Sequence, residues 1–436
     1  MLFCSMQIQK LHQLFSSSKG ISTDTRSLEK GALFFALKGE NFNGNLFAEK
    51  ALAQGAIAIV VDDINLKNLA PNVIIVEDVL KTLQELARFH RKKLNTPIIA
   101  LTGSNGKTTT KELIREVLSK KYKVLATKGN LNNHIGVPLT LLDLKEEHQI
   151  AIIEMGANHQ GEIKMLCEIA LPNWGYITNF GKAHLEGFGG VEGVIKGKSE
   201  LYKHLIERGQ KILINIDDPI QKRLTENYPV SSFGNGQNST FKITKEENTS
   251  TGLKVSFNEQ TYTSPLHGAY NLNNIAAAVI FGHINKIPTE EIQSGIQQYV
   301  ATNNRSQKIK IKNTSIILDA YNANPTSMEH AIKAFEKIGT LKSMVILGDM
   351  MELGQESEKE HQNILNYCLK TKFKYIHLIG AQFSETATSR ALKHKDLETF
   401  KKYIRSLSLE EFDHVLIKGS RSMKLETLLP LFESKL

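Results

Sequence analysis

The chain has 436 residues, with 54 Lys and Arg against 45 Asp and Glu, a net charge of +9, and 41% hydrophobic residues. This length exceeds what one hydrophobic core serves, so two or three domains are expected, and no apolar run approaches the roughly 20 residues of a membrane-spanning helix. The basic residues are dispersed among acidic ones, and Trp174 is the single tryptophan, so the stripe of cations and stacking aromatics that marks a nucleic-acid surface is not present.

Met1-Leu2-Phe3-Cys4-Ser5 lacks the basic start and long apolar stretch of a secretory signal. Cys4, Cys167 and Cys368 lie far apart without metal-ligand spacing. A reducing, cytoplasmic setting is the expectation.

Residues 1–95 read as short strands alternating with helices. Strands are predicted at 31–37, 56–61 and 73–76. Asp78 then caps a helix carrying Leu80, Leu83, Ala87 and Phe89 at helical spacing. Arg91-Lys92-Lys93, the densest basic cluster, ends that helix, where cations favour the dipole and a solvated end is expected. Asn95-Thr96-Pro97 breaks it and marks a domain boundary. In residues 96–302, apolar strands at 98–101, 150–153 and 176–178 alternate with helical stretches, which argues for a doubly wound, mainly parallel sheet covered on both faces. Residues 231–264 are polar and rich in Gly, Asn and Ser, and they alternate in polarity, which predicts a small antiparallel insertion. A helix follows at 272–282. Around Asn303-Asn304 the pattern restarts, and strands at 315–318, 344–347, 375–379 and 414–417 define a third α/β domain over 303–436.

Directly after the strand at 98–101 stands TGSNGKTTTKE, residues 102–112. Gly103 through Thr108 joins a strand to a helix. In such a turn backbone N–H groups and the helix N-terminus converge on one concavity suited to a phosphate. Lys107 would reach the β- and γ-phosphates, and the Thr108 hydroxyl would hold Mg²⁺. The loop is shorter than the full Walker pattern, which has a glycine where Leu101 stands.

Glu154 follows the strand at 150–153, and His184 lies just past the next strand. Ligands gather at the C-terminal ends of strands in open sheets, and a carboxylate and an imidazole there could hold a second metal. Lys198 falls within the apolar stripe Val194, Ile195, Leu201, Tyr202 and Leu205. An unpaired ammonium there is costly. It escapes either by snorkelling to solvent or by a lowered pKa that lets the amine capture CO₂ as a carbamate. Asn271 and Asn274 stand at i, i+3 at a helix start, either capping it or reading a purine edge. Asp319, Tyr321, Asn322 and Asn324 crowd a strand-end loop, with Thr326 and Glu329 predicted as the capping box of the next helix. LGDMMELG (347–354) is a second loop of this kind.

Together these stretches resemble the Mur ligases, the ATP-dependent amide ligases of peptidoglycan assembly, over nearly the whole chain. NLNNHIGVPLTLL (130–142), EMGANHQGEI (154–163), DAYNANPTSM (319–328) and LGDMMELG are similar to the branch that adds D-alanyl-D-alanine to UDP-N-acetylmuramoyl-tripeptide through an acyl phosphate. The resemblance implies an N-terminal α/β UDP-sugar domain (1–95) and a central ATP domain (96–302). It also implies a C-terminal Rossmann-like domain (303–436) that binds the dipeptide and closes on ATP.

It assigns Gly103, Ser104, Asn105, Gly106, Lys107, Thr108 and Thr109 to the ATP loop, Asn271 and Asn274 to the adenine motif, and Arg305 and Asp319 to the closing domain. Tyr270 stands where many relatives have histidine. Thr108, Glu154, His184 and a carbamylated Lys198 would hold two Mg²⁺ ions, with Lys107, Lys198 and His184 serving catalysis. Thr25 and Arg26, in STDTR (22–26), fall to the UDP-sugar together with FFALKGENFNGNLF (34–47). Asn322, Asn324 and Ser327 fall to the substrates. The implied protein is a monomer without nucleic acid; a nucleic-acid-stimulated P-loop ATPase is the rival reading.

Overall fold

The computed structural model describes residues 2–236, 238–248, 252–301 and 304–435. They form a three-domain α/β fold. The junction expected near 303 touches Thr302 and Asn303, which lie outside the described residues.

The first sheet is parallel, in the order Ile21–Ser22, Leu33–Phe35, Ala58–Val61, Val73–Ile75. A helix over Leu2–Ser16 precedes it. This helix was not read from the sequence, because its short apolar face gives a weak periodic signal. Leu11 and Phe15 are buried in the core that helix Val79–Lys93 also joins. Asp78 caps that helix as expected, its side chain accepting from Lys81 N.

The basic end of that helix is not uniformly solvated. Arg91 is only 7% exposed. Its guanidinium donates to Ala170 O (3.0 Å), Leu94 O (2.8 Å), Leu171 O (3.3 Å) and Asn173 Oδ1 (3.1 Å). It thereby ties the first domain to the C-terminal end of helix Glu162–Ala170. Removing it takes the guanidinium donors from Ala170 O, Leu171 O and Leu94 O, while Asn173 Oδ1 keeps its bond from Ile98 N. Arg91→Ala is expected to cost about 3 kcal/mol, and Lys92→Ala less than about 0.5 kcal/mol. Denaturant unfolding of the two variants checks this; equal effects would deny Arg91 its role.

The central sheet runs Gln260–Ser264, Gly252–Phe257, Phe241–Asn248, Ser231–Gly234, Lys211–Asn215, Trp174–Ile177, Ile98–Thr102, Ile150–Glu154, Val124–Ala126. It is parallel from Phe241–Asn248 to the Val124–Ala126 edge. The insertion is antiparallel internally, and it extends this sheet through the parallel contact of Phe233 with Phe241. Helices Lys107–Leu118 and Leu272–Ile284 bury Leu113, Ile114, Val117, Ile275 and Val279 on one face.

The third sheet is ordered Gln307–Ile311, Thr314–Asp319, His414–Lys418, Ser343–Gly348, Tyr375–Ile379, Leu392–His394 and is parallel except for its first strand. Cys167 and Cys368 are free and buried. Burial pushes the Cys368 thiol up to about 12, which leaves it unreactive. Among the described residues no helix is long and apolar enough to cross a membrane.

Candidate active site

Strand Ile98–Thr102 lies between Ile150–Glu154 and Trp174–Ile177. The chain leaves Ile98–Thr102 toward the Val124–Ala126 edge and leaves Trp174–Ile177 toward the other side of the sheet. Such a switch point opens a crevice beyond the strand ends. A cavity of about 790 Å³ occupies it, walled by residues of the central and third sheets.

The phosphate loop depends on two glycines. Gly103 has φ +142°, and a Cβ there would meet Thr178 Oγ1 at 1.9 Å. Gly106, at φ +79°, starts helix Lys107–Leu118, and a Cβ there would meet Asn274 Oδ1 at 2.7 Å. Only glycine supplies this backbone with this clearance. The rest of the loop is tied to the neighbouring strand end. Ser104 N donates to Asn179 O, Asn105 N to Asn179 Oδ1, and Thr178 Oγ1 to Asn105 O. Lys107 is half-buried at the cavity wall, and its ammonium donates to Gly103 O at 2.7 Å. Burial holds its pKa below the usual lysine value, nearby Arg305 lowers it further, and Glu154 partly offsets both.

Glu154 is 1% exposed and engaged at both oxygens. Thr108 Oγ1 donates to Oε2 at 2.9 Å, and Asn132 Nδ2 donates to Oε1 at 2.8 Å. Lys111 Nζ, also buried, lies 4.0 Å from Oε2. The hydroxyl and carboxylate make an oxygen set suited to Mg²⁺, which keeps several waters and accepts phosphate oxygens. No group of three or more His, Cys, Asp or Glu gathers for a metal among the described residues.

Lys198 does not snorkel. It is fully buried on helix Val191–Glu207, and its Nζ has no hydrogen-bond partner. The Phe188 ring centroid lies 5.0 Å away. Burial drives its pKa far below the ordinary lysine value, and Lys107 adds to this. Snorkelling, one of the two escapes read from the sequence, is thereby ruled out. An orphaned buried nitrogen in this position fits acquisition of an anionic carboxylate.

His184 sits in left-handed backbone (φ +54°), with Nδ1 against Glu352 Oε2 of the third domain. That hydrogen bond holds the Glu352 carboxyl below its usual pKa range. Asn271 makes no capping bond. It accepts from Asn274 Nδ2 at 2.8 Å, while Asn274 Oδ1 accepts from Thr110 Oγ1 at 3.0 Å, so the pair forms a buried amide chain beneath Gly106. Tyr270 donates to or accepts from Ser306 Oγ at 2.9 Å, and its ring lies parallel to His330.

The third domain contributes Arg305, stacked 3.6 Å over the Tyr321 ring, and Asp319, which accepts from Ser306 N and from Lys418 Nζ at 2.7 Å. Asn322 and Ser327 line the cavity. The capping box of helix Pro325–Ile338 is Asn324 with Ser327, not Thr326 with Glu329. Pro325, with φ preset for a first helical turn, fixes that start. Thr326 Oγ1 is thereby free to accept from Lys182 N at 3.0 Å, and Asn324 Nδ2 donates to Asn105 Oδ1 at 2.8 Å across the domains. Thr25 and Arg26 are not brought to this cavity. Thr25 is buried in the first domain, and Arg26 is exposed and paired with Asp24 at 2.6 Å.

Sequence reasoning missed Asn132, Glu352 and Lys418 as site residues. Lys418 carried a signal, a lone lysine ending the apolar run at 414–417. Asn132 and Glu352 lay in stretches already singled out, but nothing local named their partners.

The chain matches three family descriptions: the Mur ligase family catalytic domain over 17–91, the Mur ligase middle domain over 101–282, and the Mur ligase glutamate ligase domain over 304–421. It is 37% identical over 432 residues to the UDP-N-acetylmuramoyl-tripeptide--D-alanyl-D-alanine ligase of Bacillus subtilis, covering 96% of this chain and 94% of that one. The Escherichia coli ligase of the same name is 35% identical, with 93% and 92% covered. Among solved structures, MurF from Acinetobacter baumannii superposes with a TM-score of 0.88 at 30% identity, covering 98% of both chains. MurF ligase from Thermotoga maritima in complex with ADP gives 0.84 at 26%, covering 97% of this chain and 98% of that one. Fold, phosphate loop and full-length likeness agree, and the chain belongs to the Mur ligase family.

Proposed function

We infer that this protein is an ATP-dependent ligase that adds D-alanyl-D-alanine to the terminal carboxylate of UDP-N-acetylmuramoyl-tripeptide. One observation carries the reading: the Lys107 loop, the Thr108–Glu154 pair and the Asp319–Ser327 loop of the third domain all face one cavity. Full-length relatives bearing that ligase name support it.

A carboxylate is a poor electrophile, so the acid must first be activated. Its oxygen attacks the γ-phosphorus of ATP, giving an acyl phosphate and ADP. The amine of the dipeptide then attacks the acyl carbon, the amide bond forms as the nitrogen releases a proton to phosphate or solvent, and phosphate leaves with its bonding pair. Lys107 neutralises charge on the transferring phosphoryl group, and Arg305 brings a second cation from the third domain. Thr108 and Glu154 would hold one Mg²⁺; His184 and a carbamate on Lys198 would hold another, and the ions would supply charge neutralisation at the phosphates. Formation of that carbamate joins the neutral Lys198 amine to CO₂ and releases one proton. Asn271 and Asn274 would serve the adenine, and Asn322 and Ser327 the incoming dipeptide. Thr25 and Arg26 would serve the UDP-sugar on the first domain, with domain limits at 95/96 and 302/303. A monomer in the cytoplasm fits this role.

Phosphate release is the test, using the pure protein, Mg²⁺, ATP and UDP-tripeptide, with D-Ala-D-Ala, D-Ala or neither added. Turnover with lengthened product should require the dipeptide. ATP hydrolysis indifferent to both peptides, or stimulated by DNA or RNA, would overturn the reading in favour of a nucleic-acid-stimulated ATPase.

A further inference from the structure

The segment from Thr178 to Glu186 is gripped from two domains. On one side Ser104 and Asn105 of the phosphate loop hold Thr178, Asn179 and Gly181. On the other, three groups of the third domain reach it. Thr326 Oγ1 accepts from Lys182 N, Glu360 Oε1 pairs with Lys182 Nζ at 2.6 Å, and Glu352 meets both His184 Nδ1 and, through its carbonyl, Glu186 N at 3.2 Å.

Both partners in the Glu352–His184 contact hold left-handed backbone, at φ +62° and +54°. For side chains other than glycine this conformation is strained and persists where surroundings impose it. Gly354, at φ +54°, lets the third-domain loop lie against Glu186, where a Cβ would come within 3.2 Å. Two strained turns therefore face each other, and what they bring together is a carboxylate and a ring nitrogen. A carboxylate on Nδ1 keeps the proton there and leaves Nε2 bare as an acceptor or metal donor.

We propose that Glu352 is a positioning residue for His184: docking of the third domain delivers the carboxylate that fixes the imidazole's tautomer and orientation, and so completes a metal-binding nitrogen in the central domain. The proposal rests on the ligase reading above insofar as His184 is taken as a magnesium ligand. It makes assembly of that site a consequence of domain docking rather than a standing property of the central domain.

Two readouts test it: Mn²⁺ binding followed by electron paramagnetic resonance in the presence of a non-hydrolysable ATP analogue and UDP-tripeptide, and the ¹⁵N shifts of His184 in the same complex before metal is added. Glu352→Ala should weaken Mn²⁺ binding about 10–100-fold and move the His184 shifts from the Nδ1–H form toward a tautomer mixture. Glu352→Gln retains an acceptor for Nδ1–H and should recover most of the affinity and the wild-type shifts. Glu360→Gln breaks the neighbouring ion pair without touching His184 and should leave the shifts in the docked complex unchanged.

Wild-type Mn²⁺ affinity and shifts in folded Glu352→Ala would overturn the proposal. So would equal impairment of the Ala and Gln variants, or a Glu360→Gln effect as large, because the contact would then be mere interdomain adhesion. If instead the wild-type protein binds no nucleotide-dependent Mn²⁺ and forms no amide, the ligase reading itself has failed.

Discussion

Replacing Lys107 with methionine is expected to lower kcat by about 10³-fold while raising KM for ATP far less. The stem volume is nearly kept, so the loss isolates the charge. In the structure the ammonium rests on the carbonyls of Gly103 and Ser104, inside protein, with Glu154 and Arg305 within electrostatic reach. Nucleotide binding would exchange those carbonyls for phosphate oxygens. An ammonium already held by two carbonyls gives up little water in the exchange, and its field on the phosphoryl oxygens strengthens as the nucleotide displaces water from the cavity. Backbone N–H groups of the turn and Arg305 remain to hold the ground-state nucleotide. Single-turnover phosphate release measures the chemical step directly. A loss smaller than about tenfold would mean that the charge is not spent on the transition state.

Lys198→Met has an expected effect of opposite sign on activity and on stability. Activity should fall by at least about 10²-fold, because a supported metal ligand is lost. Stability should rise, because a buried amine without a hydrogen-bond partner is replaced by an apolar side chain of similar length. Each kcal/mol relieved shifts Tm by roughly 2–4 °C in domains of this size. The Phe188 ring 5.0 Å away offsets only part of the burial cost. CO₂-depleted buffer should depress wild-type turnover, and bicarbonate should restore it, while the variant responds to neither. Thermal unfolding and steady-state rates check the pair of effects. A variant that is both active and less stable would show that Lys198 is a paired structural cation.

Much of the site was legible because its chemistry is local. A strand, a glycine turn and a helix are contiguous in Ile98–Leu118, so the phosphate loop could be read whole. Glu154 and His184 follow apolar runs that could only be central strands, and strand ends in a doubly wound sheet point to one crevice. Lys198 was visible as a misplaced charge. Its stripe did not say whether the head reached water; that depended on packing, which sets the Phe188 ring 5.0 Å from the nitrogen and buries it. The helix start in the third domain was read two residues late, because Thr326 and Glu329 match a capping box while the Asn324–Ser327 box is a less familiar pairing.

What lay beyond sequence reasoning is pairwise and remote. Glu352 meets His184 across 168 residues and Glu360 meets Lys182 across 178. No periodicity connects such positions, and only docking of two sheets decides them. Arg91 was misjudged for the same reason, since all its acceptors but Leu94 O lie at or just past a helix end about eighty residues away.

Asn105 has a consequence for how the ligands sense one another. Its backbone belongs to the turn proposed to receive the triphosphate, and its amide oxygen takes a hydrogen bond from the cap of the third-domain helix. One residue is thus a shared boundary of two binding events. Thermodynamic reciprocity then applies: if bound nucleotide tightens the dipeptide site by about tenfold, the dipeptide must tighten nucleotide by the same factor, a coupling of about 1.4 kcal/mol. Under such a coupling each of the two ligands would help to retain the other, whichever binds first.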